Sequence, residues 1–258
     1  MTANPAALQL YTLREQLGGD RKDLLARVAA LGYGAVEAFN VLADPDGLRA
    51  DMTAAGLVAC SVHAIPAGDD AEPVARAARI LGTDTIIVPH LPPARFADAD
   101  GVRDTARELN EMAAWAADRG LRVGYHNHDF ELSSIIGGRT GLEVLADALD
   151  PAVILEVDTY WAAVGGQDVP ALLRRLGDRV RYLHVKDGPA ISREEDMMVA
   201  VGSGRMPVAD ILAACPSAEW HVVELDRCAT DMLTAVGDSL AWLAEHDLAR
   251  PVHRGQGA

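Results

Sequence analysis

The feature that most constrains this chain is a regular alternation of short apolar runs and amphipathic helical segments over nearly all of its 258 residues. Eight runs are typical of buried strands: 7–11, 34–39, 57–63, 85–90, 120–124, 153–158, 180–186 and 220–224. Eight segments with helical spacing follow them in turn: 20–31, 44–56, 69–81, 99–119, 142–149, 169–176, 208–214 and 231–246. Strictly alternating βα units predict a parallel sheet, and eight units of about 30 residues predict a closed barrel.

No linker or change of composition interrupts this alternation. We therefore expect one α/β domain, a (β/α)8 TIM barrel over residues 1–250, followed by a flexible tail over 251–258. The alternative architecture is an open, doubly wound sheet. Its dinucleotide-binding form needs Gly-x-Gly-x-x-Gly after the first strand, and that motif is missing there. The barrel is the favoured prediction.

Composition excludes several classes of function. Half of the residues are hydrophobic, which supports a large core, and the formal net charge is −15. A strongly acidic chain without basic clusters is not expected to bind nucleic acid. Cys60, Cys215 and Cys228 show no CxxC spacing, so neither a disulfide framework nor a zinc knuckle is expected. No secretion signal or membrane-length apolar run is visible, which predicts a cytoplasmic protein with no membrane association.

Side chains that can titrate or ligate a metal collect at the carboxyl ends of the predicted strands, where barrel enzymes carry their active sites. The first four strands contribute Gln9, Tyr11, Glu37, His63 and His90. The last four contribute pairs two residues apart: His126 and His128, Glu156 and Asp158, His184 and Lys186, Glu224 and Asp226. Because alternate residues of a strand share a face, each pair can point into one barrel mouth. His221 falls outside this pattern and is expected to be structural.

Carboxylates and imidazoles that converge in one mouth need a compensating charge, because buried carboxylates repel one another and lose hydration. A divalent cation supplies it. Mixed nitrogen and oxygen ligands suit Mn, Co or Mg, with Zn or Fe as further options. The best ligand set takes one group from each of the last four strands: a side chain of the 125–131 motif, Asp158, His184 and Glu224.

Four stretches then carry a resemblance to a known family. They are His126-Asn127-His128-Asp129-Phe130-Glu131, Glu156-Val157-Asp158-Thr159-Tyr160-Trp161, Leu183-His184-Val185-Lys186-Asp187 and Val223-Glu224-Leu225-Asp226. They resemble the sugar phosphate isomerase/epimerase group, which has the xylose-isomerase-like TIM barrel and includes inosose dehydratase-like and keto-sugar epimerase members. The resemblance covers nearly the whole chain. It implies a small-molecule sugar substrate and a divalent metal ion, and a homo-oligomer is compatible with it.

The resemblance also implies a ligand set. In the keto-sugar epimerases, Glu, Asp, His and Glu at the ends of strands five to eight bind one metal, and Asp158, His184 and Glu224 match three of those positions. His126 stands where the epimerases have their first glutamate, and Glu131 lies just beyond it. We expect Glu131 to be the fourth ligand, with His126 as the alternative. A second departure is Trp161, which replaces a histidine that touches the sugar in those epimerases.

Two enzymatic reactions follow from the resemblance. The first is isomerisation or epimerisation of a sugar or sugar phosphate through a metal-stabilised enediolate, which needs two opposed bases to invert a centre. Glu224 is the candidate for one base. Candidates for the other are His126, His128 and Glu131. The expected substrate-binding residues are Arg14, Glu37, His63, His90, Trp161 and Lys186.

The second reaction is a lyase reaction, such as dehydration of a keto-inositol or elimination from a 3-keto-glycoside. It uses the same enolate chemistry, and an imidazole can act as acid or base near neutral pH. A third hypothesis is a non-catalytic sugar-binding barrel or an apurinic-site nuclease. The net charge opposes the nuclease, and the number of potential ligands opposes an inert binder.

Overall fold

The computed structural model describes residues 4–250 and Val252, and these form a (β/α)8 barrel, as the alternation predicts. The eight barrel strands β1–β8 are Asn4–Gln9, Ala35–Ala38, Val58–His63, Thr85–Val88, Arg122–His126, Ile154–Asp158, Val180–Val185 and Trp220–Val223. All are parallel to their neighbours, and β1 pairs with both β2 and β8. Leu8 is therefore in register with Val36 on one side and Val223 on the other, which closes the barrel.

Eight outer helices α1–α8 surround the strands: Arg21–Ala30, Pro45–Ala55, Ala71–Leu81, Ala99–Ala117, Gly141–Ala148, Val169–Leu176, Val208–Ala213 and Met232–Glu245. Five of them begin at an aspartate whose carboxylate accepts a backbone N–H of the first turn: Asp20, Asp44, Asp98, Asp168 and Asp231. Each such cap is worth about 1 kcal/mol. These caps fix where the helices begin, and their apolar sides pack on the outer face of the barrel.

The barrel interior is filled in layers, because every second strand residue points inward. The lower layer is apolar and contains Ala7, Ala35, Cys60, Ile87, Ile154, Tyr182 and Val222. Gly124 belongs to the same layer. A Cβ at this position would stand only 2.5 Å from Cδ1 of Ile87, so a larger residue would not fit without a shift. The next inward positions towards the carboxyl ends are polar, among them Gln9, Glu37, His126, Glu156 and His184. A packed apolar floor thus supports a polar mouth.

Several elements differ from the prediction. The predicted strand 7–11 is shorter at its carboxyl end, because Leu10–Leu13 forms a 3-10 helix whose first turn is capped by the side chain of Gln9. Tyr11 is therefore a loop residue. Short helices at Arg14–Leu17, Phe130–Ser133 and Thr159–Val164 were not predicted, nor was the two-stranded hairpin formed by Ile135–Ile136 and Arg139–Thr140.

At the end of the chain, Ala249–Arg250 adds a short strand beside Asn4 and Pro5. The predicted flexible tail over 251–258 lies outside the described residues except for Val252. Among the described helices, none has the length and hydropathy needed to cross a membrane.

His221 has the structural role that the sequence predicts, at the lower end of the barrel. Its Nδ1–H donates to the carbonyl oxygen of Leu248 (3.1 Å), and the side-chain amide of Asn4 lies 3.2 Å from Nε2. Burial lowers the pKa of His221 from 6.5 to about 4. The folded protein therefore holds this ring neutral at pH values where the unfolded chain protonates it.

We expect the free energy of unfolding to fall as the pH is lowered from 6.5 towards 4. In that window the unfolded state binds the proton first. Between pH 7 and 4.5 this ring alone therefore lowers the free energy of unfolding by about 2 kcal/mol. Urea titrations of wild type and His221→Gln across this range will measure it. The variant should lose that share of the pH dependence, and equal slopes for the two proteins would contradict the assignment.

Candidate metal centre and active site

A cavity of about 680 Å³ opens at the carboxyl ends of the strands. Its lining combines aromatic, imidazole and charged side chains: Tyr11, Phe39, Asn40, His63, Pro89, His90, His126, His128, Trp161, Arg193, Glu224, Asp226 and Arg227. Apolar walls with a few convergent polar groups are typical of small-molecule sites. The cavity therefore coincides with the mouth in which the sequence predicts the active site.

Four residues at the cavity floor form a group that could hold a cation: His126, Asp158, His184 and Glu224. They come from the ends of β5 to β8 and offer ligand atoms that all lie within 4.8 Å of one another. Nδ1 of His184 lies 2.8 Å from Oε2 of Glu224, and Nε2 of His126 lies 3.8 Å from Oδ2 of Asp158. We call these four residues the upper group. Two neutral imidazoles and two carboxylates suit a borderline divalent ion.

A second group of ligand atoms lies deeper in the barrel and shares two imidazoles with the first. It consists of His63, His126, Glu156 and His184, and we call it the lower group. Oε2 of Glu156 is 2.7 Å from Nε2 of His63, 3.1 Å from Nδ1 of His126 and 3.1 Å from Nε2 of His184. Glu37 adjoins this group, and its carboxylate accepts hydrogen bonds from Gln9 and Ser61.

Lys186 is buried beside the upper group. Its Nζ lies 2.8 Å from Oδ2 of Asp158, 2.6 Å from Oε2 of Glu224 and 2.6 Å from Oδ2 of Asp226. The contact with Asp158 is an ion pair without hydrogen-bond geometry, and this oxygen has no hydrogen-bond partner among the described residues. A buried carboxylate oxygen whose ion pair is with an ammonium group shared among three carboxylates is the kind of atom that a further cation would satisfy. The residues present therefore fit a divalent ion.

Burial and charge set the protonation of the group. Burial raises the pKa of Asp158 to about 6, although Lys186 and His184 oppose the shift. Burial would also raise the pKa of Glu224, but Lys186 and His184 hold it well below its usual range. For His184, burial favours the neutral ring, yet Glu156 and other carboxylates raise its pKa well above the ordinary value. This ring therefore carries a proton that a metal would have to displace.

His128 differs electrostatically from the neighbouring imidazoles. Burial, followed by the charge of Lys186, lowers its pKa to about 3, so the ring is neutral at ordinary pH. Its Nδ1 is buried and has no hydrogen-bond partner among the described residues. The ring lines the cavity, 5.2 Å from the ring of His90. With a pKa of about 3 this neutral imidazole is a weak base, and it can take a proton only from a strongly acidified C–H group of a substrate.

Glu131 lies in neither group. The short helix Phe130–Ser133 turns its carboxylate away from the upper group, where it accepts hydrogen bonds from the hydroxyl of Tyr125 (2.5 Å) and the backbone N–H of His128 (2.9 Å). Burial raises the pKa of Glu131 to about 7. Whereas we expected Glu131 to be the fourth ligand, the structure brings the alternative, His126, together with Asp158, His184 and Glu224.

The other expected site residues divide into two sets. His63, His90 and Trp161 line the cavity, and Lys186 contacts the carboxylates beneath it. Arg14 and Glu37, which we expected to bind substrate, are not among the lining residues. The guanidinium of Arg14 donates to the carbonyl oxygens of Tyr11 and Asp226, and Glu37 is fully buried beneath the imidazoles.

Sequence reasoning left two charged residues of the cavity lining out of the site. Arg193 and Arg227 lie on the loops that follow β7 and β8 and line the cavity, with an Arg193–Asp129 ion pair of 2.7 Å. These arginines carry no spacing signal. Glu156 was placed in the mouth by its spacing of two residues from Asp158 on the same strand, but it was given no role of its own.

Comparisons with known proteins agree with the fold. The family model for the xylose isomerase-like TIM barrel matches residues 25–246. A crystal structure of a sugar phosphate isomerase/epimerase from Parabacteroides distasonis superposes with a TM-score of 0.81 at 21% identity, covering 96% of this chain and all of the other. A D-psicose 3-epimerase structure gives a TM-score of 0.66 at 14% identity, covering 95% of this chain and 100% of the other.

The curated relatives match a shorter stretch. Inosose dehydratase from Lactiplantibacillus plantarum is 30% identical over 142 residues, which are 48% of this chain and 46% of the relative. Inosose dehydratase from Mesomycoplasma hyopneumoniae strain 7448 is 31% identical over 83 residues, or 32% of this chain and 27% of the relative. The matches thus span less than half the length of these proteins.

The placement of Glu131 and His126 leads to opposite expectations for two variants. His126→Gln should weaken Mn²⁺ binding by at least about 100-fold, because it removes a ligand and not only an outer partner. Glu131→Gln should leave the affinity within about threefold of wild type, a shift of less than about 1 kcal/mol. Isothermal titration of metal-stripped protein with Mn²⁺ measures both. The reverse ranking would restore Glu131 as the ligand.

Proposed function

The chain belongs to the xylose isomerase-like TIM barrel family, and on that premise we propose that it is a divalent-metal-dependent isomerase or epimerase of a sugar or sugar phosphate. Membership of the family supports the general class of enzyme. The structures similar to this chain include sugar phosphate isomerase/epimerases and a D-psicose 3-epimerase. The finer assignment depends on the chemistry that the residues of this chain can perform in the cavity.

In this proposal the upper group holds the ion: His126, Asp158, His184 and Glu224. Mn, Co or Mg is the expected metal, with Zn or Fe as further options. When bound, a divalent ion supplies Lewis-acid stabilisation of the negative charge that develops on substrate oxygens. Loss of binding in Asp158→Asn or His184→Ala with the fold retained would support the ligand set.

The observation that carries the proposal is the position of two proton carriers on different walls of one cavity. Glu224 follows β8 and His128 follows β5, and these strands are three places apart in a ring of eight. A substrate held between them presents one face to each group. Inversion at a carbon next to a carbonyl needs this arrangement, since the proton leaves from one face and returns to the other.

The surrounding residues supply positioning and a protected environment. Lys186 brings a buried ammonium group to the cavity floor, where its donors can reach a substrate oxygen if its contact with Asp158 is released. Trp161 provides an apolar wall with its indole 5.5 Å from Nζ of Lys186. Aromatic faces of this kind pack against the C–H face of a sugar ring and exclude water.

A second candidate function is a lyase acting on a keto-inositol or a 3-keto-glycoside. The specific observation in its favour is the similarity to inosose dehydratases over as much as 142 residues. The same two proton carriers would serve it: one group removes the proton next to the carbonyl, and another protonates the leaving hydroxyl. Both reactions therefore begin with the same proton abstraction and differ in the fate of the carbanion.

Incubation in heavy water distinguishes the two reactions. Mn²⁺-loaded protein is mixed with panels of keto-sugars, their phosphates and inososes, and the solution is followed by NMR. A deuterated epimer or isomer supports the proposal, whereas loss of water or alcohol supports the lyase. Absence of solvent exchange in every panel, with the metal bound, would count against both.

The two-wall arrangement leads to an asymmetric effect of His128→Asn. Wild type should exchange the proton of both epimers of a substrate pair. The variant should exchange only the epimer whose proton faces Glu224, and formation of the opposite epimer should slow by about 100-fold or more. Deuterium incorporation into each epimer, measured separately, checks this. Equal slowing for the two epimers would contradict a base on each wall.

A further inference from the structure

The two imidazoles shared by the upper and lower groups each present their two nitrogens to different partners. In His126, Nε2 faces Asp158 above, at 3.8 Å, and Nδ1 faces Glu156 below, at 3.1 Å. In His184, Nδ1 faces Glu224 at 2.8 Å, whereas Nε2 lies 2.7 Å from its hydrogen-bond partner, Oε1 of Glu37, and 3.1 Å from Oε2 of Glu156. Each ring thus has one nitrogen directed to the proposed metal site and one directed to a carboxylate beneath it.

A single oxygen of Glu156 lies beneath both rings. Oε2 makes the contacts with His126 and His184 and also lies 2.7 Å from Nε2 of His63. Glu156 is fully buried and lies two residues before Asp158 on β6, so its Cα is about 7 Å further from the carboxyl end of the strand. At this depth the carboxylate does not line the cavity, but it lies beside the inner nitrogens of the two rings.

We propose that Glu156 is a positioning residue that fixes the tautomer and orientation of His126 and, together with Glu37, those of His184, with His63 as its counter-ion. A histidine that binds a metal through one nitrogen carries a proton on the other, and an acceptor for that N–H holds the ring in place. Glu156 provides that acceptor for His126, and for His184 it adds a second carboxylate oxygen beside the one that Glu37 provides. This inference rests on the proposed metal site and adds to it a residue that does not touch the ion.

The lower group has ligand-forming atoms of its own, and Oε1 of Glu156 has no hydrogen-bond partner among the described residues, so a second ion there is the competing interpretation. Two features oppose it. His63 already supplies a cation to the buried carboxylates, since its Nε2 lies 3.0 Å from Glu37 and 2.7 Å from Glu156. In addition, Glu37 receives donors from Gln9, Ser61 and His184, so both of its oxygens are satisfied.

The variant Glu156→Gln tests the inference through metal binding and spectroscopy. It should keep one bound ion per chain but weaken Mn²⁺ affinity by about 10–100-fold, because one acceptor for the ring N–H groups is degraded. The visible absorption of the Co²⁺-loaded protein should change, since the imidazole ligands are reoriented. Glu131→Gln is the matched control, a buried glutamate outside both groups. It should match wild type in affinity and spectrum.

A metal-free measurement keeps the inference separate from the proposed function. Long-range ¹⁵N NMR of the histidine rings should show His126 in wild type as the Nδ1–H tautomer, and Glu156→Gln and Glu156→Ala should each disturb that signal. If wild type binds no metal, the proposed function is wrong. The ring signals of the metal-free protein would still test the role of Glu156.

Three outcomes would overturn the inference itself. One is a Glu156→Gln variant whose Mn²⁺ affinity, Co²⁺ spectrum and ring signals are those of wild type. Another is a second equivalent of tightly bound Mn²⁺ in wild type that disappears in Glu156→Gln, which would make the lower group a metal site. The third is a loss of affinity in Glu131→Gln as large as in Glu156→Gln, which would indicate a general effect of removing a buried glutamate.

Discussion

The site depends on the inward alternation of side chains along the barrel strands. On β6 the inward residues are Ile154, Glu156 and Asp158, which occupy an apolar floor, a middle layer and the mouth in turn. On β7 the same sequence of layers begins with Tyr182 and His184. Because the spacing along a strand is fixed, carboxylates and imidazoles of neighbouring strands meet at matching depths.

The layers concentrate charge in a space with little water. Glu37, Glu156, Asp158 and Glu224 are all buried, and His63, His184 and Lys186 face them. Burial would raise the pKa of every carboxylate, yet nearby cations hold the pKa of Glu156 down to about 2. Only Asp158 among these four has a raised pKa, about 6. An added cation would therefore gain most at Asp158, whose Oδ2 has no hydrogen-bond partner among the described residues. Oε1 of Glu156 also has none there, but the nearby cations already hold the pKa of Glu156 low.

The sequence predicted the barrel and the parity of its strands because both follow from local periodicity. It placed Tyr11 in a strand because apolar Leu10 continues the run, although the chain turns into a 3-10 helix there. It favoured Glu131 as a ligand because this residue lies close to His126 in sequence. Proximity in sequence says nothing about the short helix that turns the Glu131 carboxylate towards Tyr125. Depth within the barrel was also invisible, so Glu37 was grouped with the cavity residues, although it lies below them.

At position 126 this chain has an imidazole where the resemblance to keto-sugar epimerases implies a glutamate. As a ligand, the imidazole would change more than the donor atom. A carboxylate ligand brings its own charge and needs no partner for a ring N–H, whereas His126 is neutral and its Nδ1 requires an acceptor. Glu156 lies where that acceptor is needed, 3.1 Å away. The proposed set of two imidazoles and two carboxylates carries a charge of about −2 when both rings are neutral, which balances one divalent ion. Within the expected set of Mn, Co and Mg, nitrogen donors favour Mn and Co, because Mg prefers an all-oxygen shell.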